Sequence, residues 1–127
     1  METTSDNELT TAIDDHLAGY CEPDPDRRRE LLAAAWVEDG VLMDPPMDAS
    51  GVDAIAALTD VVLEHYPDHR FRRTSAVDEH HDHARYGWEL VAPDGTVAVA
   101  GVDVAQVRDG RLAQVVGFFG DLEPVAA

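Results

Sequence analysis

Thr96-Val97-Ala98-Val99-Ala100-Gly101-Val102-Asp103-Val104-Ala105, then Arg108-Asp109-Gly110, then Arg111-Leu112-Ala113-Gln114-Val115-Val116-Gly117-Phe118-Phe119: this stretch decides the fold. Two runs rich in β-branched residues stand on either side of an Asp-Gly pair, a strong hairpin signal. The first run is apolar at odd and even positions alike, which predicts a strand covered on both faces. Asp103 is its one ionisable side chain. Burying a lone carboxylate is costly, so Asp103 is expected to be paired, hydrogen-bonded or neutral.

Working outward, Pro93-Asp94-Gly95 is a second hairpin turn, and four strands follow at roughly 70–79, 83–92, 96–107 and 111–120, with His80-His81-Asp82 as the remaining turn. A four-residue loop over Pro93 to Thr96 sets Tyr86 opposite Asp103. A three-residue bulged turn over Arg108-Asp109-Gly110 sets Asp103 opposite Val115. One face then carries Tyr86, Trp88, Leu90, Val99, Gly101, Asp103, Val115, Gly117 and Phe119: aromatic walls, small residues at the centre, one carboxyl, the makings of a ligand pocket. The other face, with Arg85, Glu89, Val102, Val104, Gln106, Gln114, Val116 and Phe118, suits a homodimer interface.

The N-terminal half reads as helical. Leu9, Ile13, Leu17 and Tyr20 recur at helical spacing from Asp6 to about Cys21, with Ser5 and Glu8 as a capping box and His16 on the same stripe. Asp24-Pro25 opens a second helix through Leu31, Leu32, Ala35 and Trp36, which Asp39-Gly40 is expected to end. The run Arg27-Arg28-Arg29 reads as a solvated helix face. Val41–Asp44 is a short strand stopped by Pro45-Pro46. Ser50 and Asp53 read as the capping box of a third helix with Ile55, Leu58, Val62 and Tyr66 on its apolar face. The order α-α-β-α-β-β-β-β predicts one α+β domain over residues 1–127, ordered over about 6–121, with three N-terminal helices wrapped on a curved antiparallel sheet.

Composition excludes more than it assigns. The 127 residues carry 26 acidic and 9 basic side chains, a net charge of −17. A nucleic-acid binder needs a basic stripe, and an anionic membrane needs one too; neither partner is expected. No apolar run approaches the length of a membrane span. The polar, acidic Met1–Asn7 does not resemble a secretory signal, and the single Cys21 suits a reducing cytoplasm.

The chain resembles the nuclear transport factor 2-like superfamily, with its SnoaL-like polyketide cyclases and ketosteroid isomerases. The resemblance runs from about Glu8 to Asp121 and rests on Trp36-Val37-Glu38-Asp39-Gly40-Val41-Leu42-Met43-Asp44-Pro45, Gly51-Val52-Asp53-Ala54-Ile55, Gly101-Val102-Asp103-Val104 and Asp109-Gly110-Arg111-Leu112. It implies a cone of helices and curved sheet around a pocket, commonly in a dimer. In ketosteroid isomerases an aspartate before a proline is the general base, and Asp44 before Pro45 matches it. A first-helix tyrosine and a second, protonated aspartate are the oxyanion donors, which Tyr20 and Asp103 match. Positions that hold further tyrosines in those enzymes hold Trp36 and Thr59 here. Limonene epoxide hydrolases need an Asp-Arg-Asp arrangement, and Arg85 is followed two residues on by Gly87 rather than an acid.

The expected site is therefore Asp44 as base, Tyr20 and Asp103 as oxyanion donors, and His16, Trp36, Leu58, Tyr86, Trp88, Val115 and Phe119 around a small hydrophobic substrate. The expected activity is cofactor-independent proton transfer, isomerisation or ring closure, on an enolisable carbonyl compound. The alternatives are a non-catalytic ligand-binding or dimeric scaffold protein, and an epoxide-opening enzyme. His80-His81-Asp82-His83 has the residue types of a zinc site, but it falls at a hairpin tip where exposed polar residues are usual, so no metal is expected.

Overall fold

Asp24 and Pro25 start the second helix as their chemistry dictates. Asp24 stays extended (φ −78°, ψ 115°), and its carboxylate accepts the Asp26 backbone N–H at 3.0 Å. The computed structural model describes residues 4–45 and 47–126. It contains helices α1 (Thr4–Tyr20), α2 (Pro25–Ala35) and α3 (Val52–His65). The strands are β1 (Trp36–Asp44), β2 (Met47–Ser50), β3 (Arg70–Arg73), β4 (Asp78–His80), β5 (His83–Val91), β6 (Val97–Arg108) and β7 (Arg111–Phe119).

Three boundaries differ from expectation. Helix α2 stops at Ala35, not at Asp39-Gly40. Trp36 is extended (φ −110°, ψ 147°), and its N–H closes the last helical turn onto the Leu32 carbonyl. Leu32 and Trp36 are four residues apart, so Trp36 satisfies helical spacing while opening a strand. Helix α3 has no side-chain cap: Gly51 (φ 87°) precedes it, Ser50 pairs with Val41 in the sheet, and Asp53 accepts from Arg29. That backbone angle suits glycine. Helix α1 already includes Ser5, whose side chain, and with it the expected capping box, lies outside the described residues.

The sheet is curved, open and mixed, in the order β2-β1-β7-β6-β5-β3, with β4 also on β5. All pairs are antiparallel except β1–β7, which is parallel. The expected 70–79 strand is split, because the Gly87 N–H donates to Ser75 Oγ at 2.9 Å and interrupts the ladder between β3 and β4. Tyr86 pairs with Asp103, as the loop length predicts. The other hairpin turns on two residues, Asp109 (φ 55°) and Gly110 (φ 75°), and β7 bulges beyond it. Asp103 therefore faces Gly117 rather than Val115. The slip is two residues, so every side chain keeps its expected face.

Leu9, Ile13 and Leu17 of α1, Leu32 and Ala35 of α2 and Ile55 of α3 form the core against Leu42, Ala84, Ala105, Leu112 and Val115 of the sheet. The arginine run is not wholly solvated. Arg28 is buried, donates from Nε to the Glu22 carbonyl at 3.0 Å and pairs with Asp60 of α3, tying α2 to α3.

Candidate active site

A cavity of about 210 Å³ lies between the helices and the sheet. His16, Leu17 and Tyr20 of α1 form one wall. Asp44 at the end of β1, Met47, Val62, Tyr66 and Phe71 continue it, and Trp88, Leu90, Val99, Asp103 and Phe119 from the central strands complete it. A closed apolar cavity of about 150 Å³ accepts benzene, so this one suits a single ring or a small fused ring system. Rings follow one another along it: Tyr20 and Phe71 are tilted with centroids 4.8 Å apart, and Phe71–Trp88 and Trp88–Phe119 meet edge to face at 5.5 and 5.6 Å.

Two carboxylates supply its polarity. Asp44 Oδ2 accepts the Tyr20 hydroxyl at 2.8 Å. Asp103 is only 4% exposed; its Oδ2 accepts the Tyr86 hydroxyl at 2.8 Å and its Oδ1 accepts the Trp88 indole N–H at 2.9 Å. Gly117 makes room for both acids: a methyl there would collide with Asp44 Oδ1 and lie 3.2 Å from Asp103 Oδ1. The two carboxyls are thus within a few ångströms of each other, and no arginine lines the cavity.

This arrangement sets the protonation states. Burial pushes Asp103 up to about 7; the hydrogen bonds from Tyr86 and Trp88 oppose the rise, and the nearby Asp44 charge adds to it. Burial also raises Asp44, against the stabilising Tyr20 hydrogen bond. Burial and the Asp44 charge push Tyr20 well above the ordinary phenol value, and burial and the Asp103 charge do the same to Tyr86, so both keep their protons. Burial holds His16 down at about 3, so its ring is neutral.

Of the residues singled out from sequence, Asp44, Tyr20, Asp103, His16, Trp88 and Phe119 meet around the cavity. Trp36, Leu58, Tyr86 and Val115 do not line it; they are buried in the layer behind. Tyr86 pairs with Asp103 across the sheet, and from that layer its hydroxyl donates to the Asp103 carboxylate. The Trp36 indole N–H donates to His16 Nδ1 at 3.1 Å, and Thr59 Oγ1 donates to the Ala56 carbonyl at 2.7 Å. Phe71, Met47, Val62 and Tyr66 went unassigned as site residues. Phe71 had a signal, a lone apolar residue among Arg70, Arg72 and Arg73, and its pairing with Leu90 puts it on the cavity face. Met47 sits on β2, which the Pro45-Pro46 break conceals.

The other candidates lie elsewhere. Arg85 is exposed and donates to Asp78 at 2.8 Å. His81 and Asp82 form a tight turn (φ 50° and 63°), so His81 does not share a strand face with His83. Among the described residues no group of three or more His, Cys, Asp or Glu is arranged to hold a metal ion.

The SnoaL-like domain profile matches residues 13–115, and the chain belongs to that family. It is similar to a candidate isomerase of the SnoaL-like family from Agrobacterium tumefaciens, at 34% identity and a TM-score of 0.82 over 91% of this chain and 99% of that one. The fold is shared with a SnoaL-like candidate polyketide cyclase from Jannaschia (16% identity, TM-score 0.69, 93% and 86% of the two chains). It is shared also with a protein of ketosteroid isomerase-like fold from Catenulispora acidiphila in complex with trimethylamine (12% identity, TM-score 0.68, 84% and 83%). Among curated proteins none matches the chain. No helix among the described residues is long and apolar enough to cross a membrane.

Proposed function

We propose that the protein is a cofactor-independent proton-transfer enzyme acting on a small, hydrophobic, enolisable carbonyl compound. The observation that carries this reading is the meeting of a base-competent carboxylate, Asp44, a protonated phenol, Tyr20, and a carboxyl that titrates near neutrality, Asp103, in one apolar cavity. Asp44 removes a proton next to the carbonyl: the C–H bond breaks, an O–H bond forms on Asp44, and the electron pair moves to the carbonyl oxygen. Tyr20 turns its hydroxyl from Asp44 to that oxygen, and protonated Asp103 donates a second hydrogen bond. Returning the proton at another carbon gives isomerisation; attack of the carbanion on a second carbonyl forms a C–C bond as the C=O π bond opens, and the resulting alkoxide takes the proton back from Asp44, giving ring closure. A positioned base contributes on the order of 10²–10⁴ in rate and each oxyanion donor on the order of 10²–10³.

The same reading includes a cytoplasmic homodimer. On the outer sheet face Val102 pairs with Phe118 and Val104 with Val116, and Val102, Val104 and Phe118 are 42%, 38% and 57% exposed. A paired apolar patch of this kind supports self-association.

A phenol titration tests the site, since a phenolate resembles the enolate. Followed by the fluorescence of Trp36 and Trp88, binding is expected in the wild type and weakened in both Tyr20→Phe and Asp103→Asn. Binding indifferent to both changes would favour the non-catalytic ligand carrier instead.

A further inference from the structure

An indole nitrogen can only donate a hydrogen bond. Trp36 Nε1 lies 3.1 Å from His16 Nδ1, so Nδ1 accepts and carries no proton. In a neutral imidazole the proton is then on Nε2, which makes that nitrogen a donor. The geometry is held firmly: both rings are 1% exposed and cross edge to face at 5.4 Å, and a methyl on Gly40 would collide with the Trp36 ring. Nε2 has no hydrogen-bond partner among the described residues. No sealed side-chain nitrogen or oxygen among the described residues lacks one, so Nε2 is not sealed in the core and opens on the cavity that His16 lines.

Two other donors at the cavity are already engaged: Tyr20 donates to Asp44 and Trp88 donates to Asp103, whose second oxygen accepts from Tyr86 in the layer behind. We propose that His16 binds the substrate's oxygen through Nε2–H, with Trp36 as the positioning residue that fixes this tautomer. The inference rests on the carbonyl reading above and narrows it: the ligand presents an acceptor oxygen, a ketone or an enolate, to the cavity wall that the His16 and Tyr20 rings form together in edge-to-face contact, their centroids 5.2 Å apart. Burial, which holds the ring neutral, makes it a polarising group that does not pass its proton on. A neutral imidazole N–H polarising a carbonyl is a known electrophilic device.

Nitrogen NMR of the full-length protein labelled with ¹⁵N-histidine reads the tautomer directly, the His16 signals being assigned by their loss in His16→Gln. The expected spectrum has His16 Nδ1 unprotonated and Nε2 protonated at neutral pH, the Nε2–H resonance moving when 4-nitrophenol is added, and mixed tautomers in Trp36→Phe. His16→Phe should weaken 4-nitrophenol by about tenfold or more, the loss of one hydrogen bond to a charged oxygen. His16→Gln, whose amide NH₂ reaches toward the place of Nε2, should restore most of it. An Nδ1–H tautomer, or an Nε2–H signal unmoved by bound nitrophenol, overturns the inference while leaving Asp44 chemistry standing. Wild-type protein that binds no nitrophenol overturns both.

Discussion

Replacing Asp103 by Asn removes a carboxyl whose folded pKa is about 7 against an ordinary value of 3.8. Between those values the folded protein holds a proton that the unfolded chain releases. Unfolding there liberates a proton, so raising the pH favours the unfolded state. The stability due to this proton is fully present below pH 3.8 and is lost as pH rises through 7. A gap of about three units at about 1.4 kcal/mol per unit makes the loss about 4 kcal/mol. The Asn variant cannot show it. Its Oδ1 still accepts the Trp88 indole and its NH₂ can donate to the Tyr86 hydroxyl, which leaves a cost of about 1 kcal/mol that does not change with pH. Urea unfolding of both proteins at half-unit steps from pH 4.5 to 8 is the assay. The difference between variant and wild type should swing toward the variant by about 1.4 kcal/mol per unit through the middle of the range. Parallel curves would mean that Asp103 stays ionised throughout and cannot donate to an oxyanion.

Further substitutions probe the rest. Gly117→Ala should turn Asp44 off Tyr20, costing about 1–3 kcal/mol of stability and all phenol binding by titration, whereas Gly101→Ala, whose methyl meets the Phe118 backbone carbonyl and the Trp88 ring, should cost more in a thermal melt. Leu32, fully buried under α1, should lose about 2–5 kcal/mol on Leu32→Ala, read from a urea midpoint. Phe118→Asp on the outer face should yield a monomer by light scattering with phenol affinity unchanged.

How much was legible depended on how local each determinant is. Tyr86 facing Asp103 follows from the length of one loop. The register of β7 was misplaced by two residues because a bulge and a shorter turn can replace a longer turn without changing which face any residue occupies. The start of β1 at Trp36 was hidden by helical spacing from Leu32, and its stabilising partner is a parallel strand far along the chain. Asp103 stands out as the lone ionisable side chain of an apolar strand, whereas Asp44 and Tyr20 come only from the resemblance, since nothing in their spacing shows that the fold brings them to Asp103. The Trp36–His16 bond left no mark in the sequence; it depends on how α1 meets Trp36 at the junction of α2 and β1.

The most direct test of the account is deuterium incorporation from D₂O into the carbon next to the carbonyl of small cyclic ketones, followed by proton NMR with wild type and Asp44→Asn. Exchange is expected to depend on the enzyme and to fall by about 10²–10⁴ in Asp44→Asn while the variant still folds and binds phenols. Exchange equal in the two proteins would contradict it.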